Sequence, residues 1–205
     1  MRNEITTLEQ LREVIGTPLA AALNKDRQSL VPEHIAWLTK SPMCPIGTSA
    51  LDGSCDVSPK GDPAGSVAHV IDEHTIAIPE RKGNKRADGY RNILQNPHVG
   101  LLFLVPGRGD TLRINGRATI LSDADYIDAL VVKGHRPEIV IEVAIEQVFF
   151  HCSKAFLRSH LWSPETWAPD AIPSRAQIAK ALERPEVPIE ELEAYYGSSY
   201  SDGLY

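Results

Sequence analysis

Short extended runs separated by turn residues fill the middle of this 205-residue sequence. They are typical of an antiparallel sheet, because antiparallel strands can be joined by tight turns, whereas parallel strands need long crossover connections. The clearest turn is Asp52-Gly53, since both residues tolerate the positive φ of a two-residue hairpin. Strands are predicted at residues 43–51, 54–59, 67–71, 75–79, 99–105, 111–121 and 139–152. The pattern therefore predicts a mostly β fold with peripheral helices, and an antiparallel barrel in preference to a parallel doubly wound sheet.

Helical patterns lie before, between and after these strands. Thr6 and Glu9 have the spacing of a capping box, so a helix is predicted at residues 7–15, followed by others within 18–24 and 29–40. Further helices are predicted at residues 87–95, 123–133, 174–182 and 189–196. We therefore expect three regions. They are a helical lead-in at 1–40, a barrel domain at 41–162, and an acidic, proline-containing extension at 163–205 that packs on the barrel or on a partner subunit.

The net charge of −6 is unevenly distributed along the chain. Segment 81–91 carries five cations and one acid, a net of +4, whereas residues 183–205 carry six acids and one arginine, a net of −5. The acidic total argues against a general nucleic-acid binder. No apolar run approaches the ~20 residues of a membrane span, and the amino terminus lacks the apolar core of a signal peptide. With three cysteines and no CxxC spacing, we expect a cytoplasmic protein without a nucleic-acid or membrane partner.

Segment 81–91 is the strongest candidate for a binding site. A glycine-containing cationic turn before a helix offers backbone N–H groups, the helix dipole and charged hydrogen bonds to one phosphate. A solvated surface loop is the alternative interpretation. These residues alone do not separate the two.

Two strands offer weaker candidates. In strand 111–121, Arg113, Asn115 and Arg117 share one face and could line an anionic site, although an exposed polar face is the commoner explanation. At the end of the second strand, Ser58-Pro59-Lys60 places a hydroxyl and an ammonium on a stiff backbone. Such a strand end could bond the edge of a planar heterocycle, or it could form a plain turn.

The sequence contains none of the common motifs that identify a catalytic residue. It contains no P-loop, no GxSxG elbow and no HExxH motif, so the catalytic residues stay unknown. The spacing of His69 and His74 fits no standard metal geometry, so no metal site is expected. His151-Cys152 could mark a reactive thiol, but a cysteine at the end of an apolar strand is more often inert core.

Six segments, in their order along the chain, resemble the pyridoxamine 5′-phosphate oxidase-like family of FMN-binding proteins. They are SPKGDP at 58–63, IAIPERKGNKR at 76–86, NPHVGLLFL at 96–104, TLRINGRA at 111–118, HCSKA at 151–155 and SHLW at 159–162. The resemblance runs from about residue 30 to residue 165. It implies an antiparallel split β-barrel that forms a homodimer and binds two FMN molecules in clefts at the subunit interface.

The resemblance also implies which residues bind the cofactor. The positions that hold the FMN phosphate are matched by Asn84, Lys85 and Arg86, with Arg81 in the same loop and Lys60 as a strand-end lysine. The backbone along the isoalloxazine ring and the ribityl chain is matched by Val57, Ser58 and Pro59 and by Ile78 and Pro79. The residues that approach from the second protomer or the cleft rim are Arg113, Asn115, Lys154 and Trp162.

These matches predict an FMN-dependent oxidoreductase that moves a hydride between a small molecule and flavin N5. The extension lacks the arginine- and histidine-rich ending with which pyridoxamine phosphate oxidases hold their substrate, so the substrate is predicted to differ from pyridoxamine 5′-phosphate. Two alternatives stay open. One is a flavin-binding sensor or scavenger without turnover, and the other is the same barrel holding haem or a deazaflavin.

Overall fold

The computed structural model describes residues 2–205 and contains one antiparallel sheet in the order β2-β1-β5-β6-β7-β4-β3. Its strands are β1 (Met43–Ser49), β2 (Cys55–Gly61), β3 (His69–Asp72), β4 (Thr75–Pro79), β5 (His98–Phe103), β6 (Thr111–Leu121) and β7 (Val140–His151). Every neighbouring pair is antiparallel. The prediction of a mostly β, antiparallel fold is confirmed.

Helices surround the sheet at both ends of the chain and between β4 and β5. They are α1 (Leu8–Ile15), α2 (Ala20–Leu23), α3 (Pro32–Leu38), α4 (Asp88–Gln95), α5 (Lys154–Ser159), α6 (Arg175–Leu182) and α7 (Ile189–Tyr195). Short 3-10 turns lie at Ile127–Leu130, Pro164–Thr166, Pro169–Ala171 and Ser198–Gly203. Within residues 2–205, none of the helices combines the length and the apolar character that crossing a membrane requires.

The core lies on one face of the sheet because successive side chains of a strand point to opposite sides. In β5, Val99, Leu101 and Phe103 are buried, while the residues between them face the other side. Helix α3 covers one end of this core, where the indole Nε1 of Trp37 donates to the carbonyl of Phe103 at 3.1 Å. The opposite side of the sheet is called the outer face below, and its central row contains Gly47 and Gly100.

The sheet curls without closing. Although β2 and β4 are separated by four strands in the sheet order, Lys60 forms an ion pair with Glu80, and Arg81 Nε lies 2.7 Å from Asp62 Oδ2. We call this junction, formed by Lys60, Asp62, Glu80 and Arg81, the seam. Side chains at the seam therefore join the two sides of the split barrel where backbone pairing does not.

The lead-in pairs with the sheet through its backbone, whereas the tail (residues 163–205) forms a small core of its own. Arg27 exchanges backbone hydrogen bonds with Val148, at 3.1 and 2.8 Å, so this part of the lead-in lies along β7 beyond the end of β4. The tail has a small core of its own, formed between α6 and α7 by Ala176, Ala179 and Leu192.

Two local predictions are wrong. The helix expected at residues 123–133 is a single 3-10 turn, because Ile127 and Leu130 are buried against Ala77 and Val140, and a bridge between Val132 and His135 then turns the chain. The capping box of α1 lies one residue later than expected. Its amino-terminal cap is Thr7, whose hydroxyl accepts from the backbone N–H of Gln10 at 3.2 Å.

Candidate functional site

Two prolines determine which backbone groups of β2 point towards its free edge. Pro45 of β1 lies opposite Pro59 of β2, and neither has an N–H, so this must be a pair that exchanges no backbone hydrogen bonds. Hydrogen-bonded and non-bonded pairs alternate along an antiparallel ladder. The N–H and carbonyl of Val57 and the carbonyl of Pro59 therefore point to the open side, since β2 pairs with β1 alone. Along this edge the Val57 N–H comes first, followed by the Val57 carbonyl and then the Pro59 carbonyl, so one donor precedes two acceptors.

A groove of about 520 Å³ lies on the outer face beside that edge. A cross-strand row of Val57, Gly47, Gly100 and Asn115 runs through it. The two glycines give the groove its depth because they carry no side chain, and a Cβ on Gly100 would lie 3.5 Å from the Asn115 Oδ1 atom. Its volume lies in the range of small-molecule sites, which is about 300–1,000 Å³.

The side chains of β2 divide between two environments. Val57 and Pro59 lie on the outer side, and Val57 is 73% exposed, whereas Ser58 and Lys60 lie on the inner side. The Lys60 ammonium is bound by the Glu80 carboxylate, which also accepts a hydrogen bond from the Tyr90 hydroxyl of α4. Burial and this carboxylate raise the pKa of the Tyr90 phenol. The Lys60 side chain is thus held at the seam, away from the outer groove.

The basic loop between β4 and α4 is anchored mainly at its start. Arg81 Nε donates to Asp62 and Arg81 Nη2 donates to the Leu130 carbonyl at 2.9 Å, and both ionic side chains are largely buried. The loop then becomes exposed. Asn84 Oδ1 accepts from the backbone N–H of Arg86 at 3.0 Å, and Lys85 has a left-handed backbone with φ of 60°. The Arg86 guanidinium binds the Asp88 carboxylate, which raises the pKa of Arg86.

A second polar cluster lies on the outer face of β6 and β7. The amide oxygen of Gln147 accepts from Asn115 Nδ2 at 2.8 Å and from Arg113 Nη2 at 3.1 Å, and the Arg113 guanidinium stacks over Phe149 at 4.1 Å. Desolvation, with help from the nearby cations Arg113 and Lys25, lowers the pKa of His151. Both predicted residues of β6 therefore belong to one connected network.

Two buried side-chain nitrogens in residues 2–205 have no hydrogen-bond partner. They are Nη1 of Arg81 and Nε of Arg113. An unpaired buried donor costs free energy, so each of these positions favours an additional acceptor. Both arginines belong to the set that the sequence assigned to cofactor binding.

The remaining predicted residues lie elsewhere. Ile78 and Pro79 are buried in β4, so only their backbone could contact a ligand. Trp162 donates to the carbonyl of Arg108 at 2.7 Å, at the turn between β5 and β6, and Lys154 is exposed at the start of α5. Within residues 2–205, neither of these last two side chains hydrogen-bonds to the seam or the basic loop.

The three cysteines confirm only part of what the sequence indicated. All three are free thiols; Cys44 is buried, and burial raises the pKa of its thiol. Cys152 was expected in the core and is exposed, because it follows the last residue of β7 and lies in the turn before α5.

A curled antiparallel sheet left open at one seam, with an edge strand and a basic loop beside the opening, defines a split barrel of the kind that the sequence resemblance implied. The family model for pyridoxamine 5′-phosphate oxidase matches residues 30–152, which is more than half of the chain. The chain belongs to this family.

The solved structures that match this chain share little sequence with it. HupZ of Group A Streptococcus is 18% identical, with a TM-score of 0.48 over 59% of this chain and 93% of that chain. A candidate pyridoxamine 5′-phosphate oxidase from Lactobacillus delbrueckii is 25% identical, with a TM-score of 0.47 over 60% and 95%. An FMN-binding protein from Syntrophomonas wolfei is 12% identical, with a TM-score of 0.46 over 71% and 97%. No curated protein matches the chain.

Several residues that shape the candidate site were not among the predicted site residues. Glu80, Tyr90 and Asp62 fix the seam and Gln147 joins the two residues of β6, yet each is an ordinary polar residue in sequence. The sequence did contain one signal for the outer groove. A glycine inside a strand often marks a close approach by another group, and Gly100 lies inside the apolar run of β5.

Proposed function

We propose that this protein binds FMN and acts as an FMN-dependent oxidoreductase on a small molecule other than pyridoxamine 5′-phosphate. Membership of the pyridoxamine 5′-phosphate oxidase family over residues 30–152 carries the proposal. The two unpartnered buried nitrogens, on Arg81 and Arg113, support it, because both lie in the residue set expected to surround the cofactor. The barrel at residues 41–162 is the binding domain in this proposal, flanked by the lead-in and the tail.

The basic loop would hold the phosphate. Lys85 and Arg86 are exposed cations. The side-chain oxygen of Asn84 accepts a hydrogen bond from the Arg86 N–H and so fixes the turn that carries them. Charge-assisted hydrogen bonds from such groups bind a dianion more strongly than neutral donors do. The amino terminus of the eight-residue helix α4 follows at Asp88 and adds its dipole.

The free edge of β2 would orient the ring system. The adjacent N–H and carbonyl of Val57 suit one acceptor and the neighbouring donor on a pyrimidine-type ring edge. The glycine floor of the outer groove leaves room for a planar ring, and Asn115 closes its far side. Bound FMN would supply hydride chemistry at N5, while these groups bind it, orient it and exclude water.

A homodimer is part of the proposal. The outer face exposes Val57 and the glycine groove, and a second copy laid against it would bury this surface. Arg113, Asn115, Lys154 and Trp162 of each copy would then line the cleft rim or approach the cofactor held by the other copy. Sedimentation analysis of the flavin-loaded protein tests this arrangement, and a monomer that retains stoichiometric flavin contradicts it.

The absorption spectrum of freshly purified protein is the first test. Bands of oxidised flavin support FMN, whereas a Soret band or a deazaflavin spectrum contradicts it. Stopped-flow mixing with NADH, NADPH and a panel of reduced small molecules then tests turnover. Bleaching of the flavin supports an oxidoreductase, and the absence of any reduction favours a flavin-binding sensor or scavenger.

A double variant, Lys85→Ala with Arg86→Ala, tests the phosphate site. We expect FMN affinity to fall on the order of 10- to 100-fold, because two charged donors to the phosphate are removed. Fluorescence titration of flavin measures the change. A second double variant, Arg2→Ala with Arg175→Ala, removes two exposed cations outside the barrel and should bind FMN like the wild type. Equal affinity in both double variants would refute the assignment.

A further inference from the structure

The end of the tail contacts the seam. The hydroxyl of Tyr205 donates to Oδ1 of Asp62 at 2.6 Å, across 143 residues of chain. Oδ2 of the same carboxylate binds Arg81, and the Asp62 side chain is only 3% exposed. One carboxylate thus joins the end of β2, the start of the basic loop and the tail.

Two cationic side chains and a histidine ring surround the aromatic ring of Tyr205. The Arg81 guanidinium lies 6.0 Å from the ring centroid and the Lys133 ammonium lies 5.2 Å from it. The imidazole of His135 packs against the ring at 5.7 Å with a tilt of 30°. Two cations and an aromatic ring around one phenol form a specific contact, because cations are attracted to an aromatic face within about 6 Å.

The contact between Tyr205 and Asp62 lies next to Arg81, the residue at the start of the basic loop. Residues 82–87 are exposed, and the Arg81 side chain is what fixes the start of the loop to the barrel. The seam also shows a repeated arrangement, since each of its two carboxylates accepts a hydrogen bond from a tyrosine. Tyr90 supplies that bond to Glu80 from within the barrel, whereas Tyr205 supplies it to Asp62 from the tail.

We propose that Tyr205 is a positioning residue, and that through it the tail acts as a strap that holds Asp62 and Arg81 in place and so orders the basic loop. In the holoprotein the strap slows release of the cofactor phosphate. The effect on cofactor release rests on the proposed FMN function, but the ordering of the loop does not.

Tyr205→Phe tests the strap because it removes only the hydroxyl. The matched control is Tyr200→Phe, since Tyr200 lies in the same tail with half of its surface exposed and packs on other tail tyrosines. Deuterium exchange on flavin-free protein should show the Arg86 amide, which donates to Asn84 Oδ1, exchanging about three- to tenfold faster in Tyr205→Phe, with little change in the urea midpoint and no change in the control. Flavin dissociation, followed by fluorescence, should accelerate by a similar factor.

A cycle with Asp62→Ala, which removes the acceptor, separates positioning from general support. If Tyr205 acts through Asp62, adding Tyr205→Phe to Asp62→Ala should change loop exchange and flavin release no further. Unchanged loop exchange in Tyr205→Phe, or full additivity in the cycle, overturns the strap. Faster loop exchange in a protein that binds no flavin would support the strap while refuting the proposed function, so the two failures are distinguishable.

Discussion

The ion pair between Lys60 and Glu80 closes the barrel where no backbone ladder does, and its removal should weaken the whole fold. Their side chains are 15% and 29% exposed, so both charges are largely removed from water. Breaking a fully buried pair from one side costs about 3–5 kcal/mol, because the remaining charge is left uncompensated. With this residual exposure we expect Glu80→Gln to lower the free energy of unfolding by about 2 kcal/mol.

Urea unfolding followed by circular dichroism measures this loss, and the corresponding fall in Tm is about 4–8 °C for a chain of this size. Lys60→Met should cost a similar amount. The double variant should cost about 2 kcal/mol as well, well short of the sum, since no buried charge is then left without its partner.

Asp128→Asn is the matched control. Asp128 also pairs with an arginine, Arg136, but its side chain is 83% exposed, so its loss should cost less than about 0.5 kcal/mol. A Glu80→Gln protein as stable as the wild type, or a control that is destabilised equally, would show that the seam pair does not hold the barrel together.

Two further predictions concern packing and pH. Gly116→Ala should destabilise the protein by roughly 1–3 kcal/mol, because its Cβ would lie 2.2 Å from the Ala144 carbonyl oxygen, while Gly47→Ala, with its nearest neighbour at 3.7 Å, should cost much less in the same urea assay. Burial, together with the charge of Arg27, lowers the pKa of His34 from its ordinary value of 6.5. The stability that neutral His34 contributes is therefore present above pH 6.5 and lost as pH falls through the lowered folded-state pKa. Unfolding free energy measured between pH 7 and 5 should fall less steeply in His34→Phe, and an unchanged slope would contradict this assignment.

The strands were predictable because their signals are local. Alternation and turn residues placed β4 at 75–79 and β6 at 111–121, as the structure has them. The segment 123–133 was not predictable in the same way. Its helical pattern is overridden by tertiary packing, since Ile127 and Leu130 are buried against Ala77 and Val140, which lie outside the segment.

In the candidate site, too, features with a local sequence signal were predictable and contacts between distant residues were not. The basic loop could be found from its charge, and the two-residue period of β2 already implies that Val57 and Lys60 face opposite sides. What the sequence could not reveal is that Lys60 meets Glu80 and that Tyr205 meets Asp62. Both contacts depend on how far the sheet curls, and that is settled by the packing of the whole core.

Pro59 has a consequence for the behaviour of the protein in concentrated solution. An edge strand with a complete row of free N–H and carbonyl groups is a template on which a strand of another molecule can pair. At Pro59 one of those N–H groups is missing, so an incoming strand would meet a break in the middle of the ladder. The edge that we propose for a small planar ligand is therefore poorly suited to extend into an intermolecular sheet.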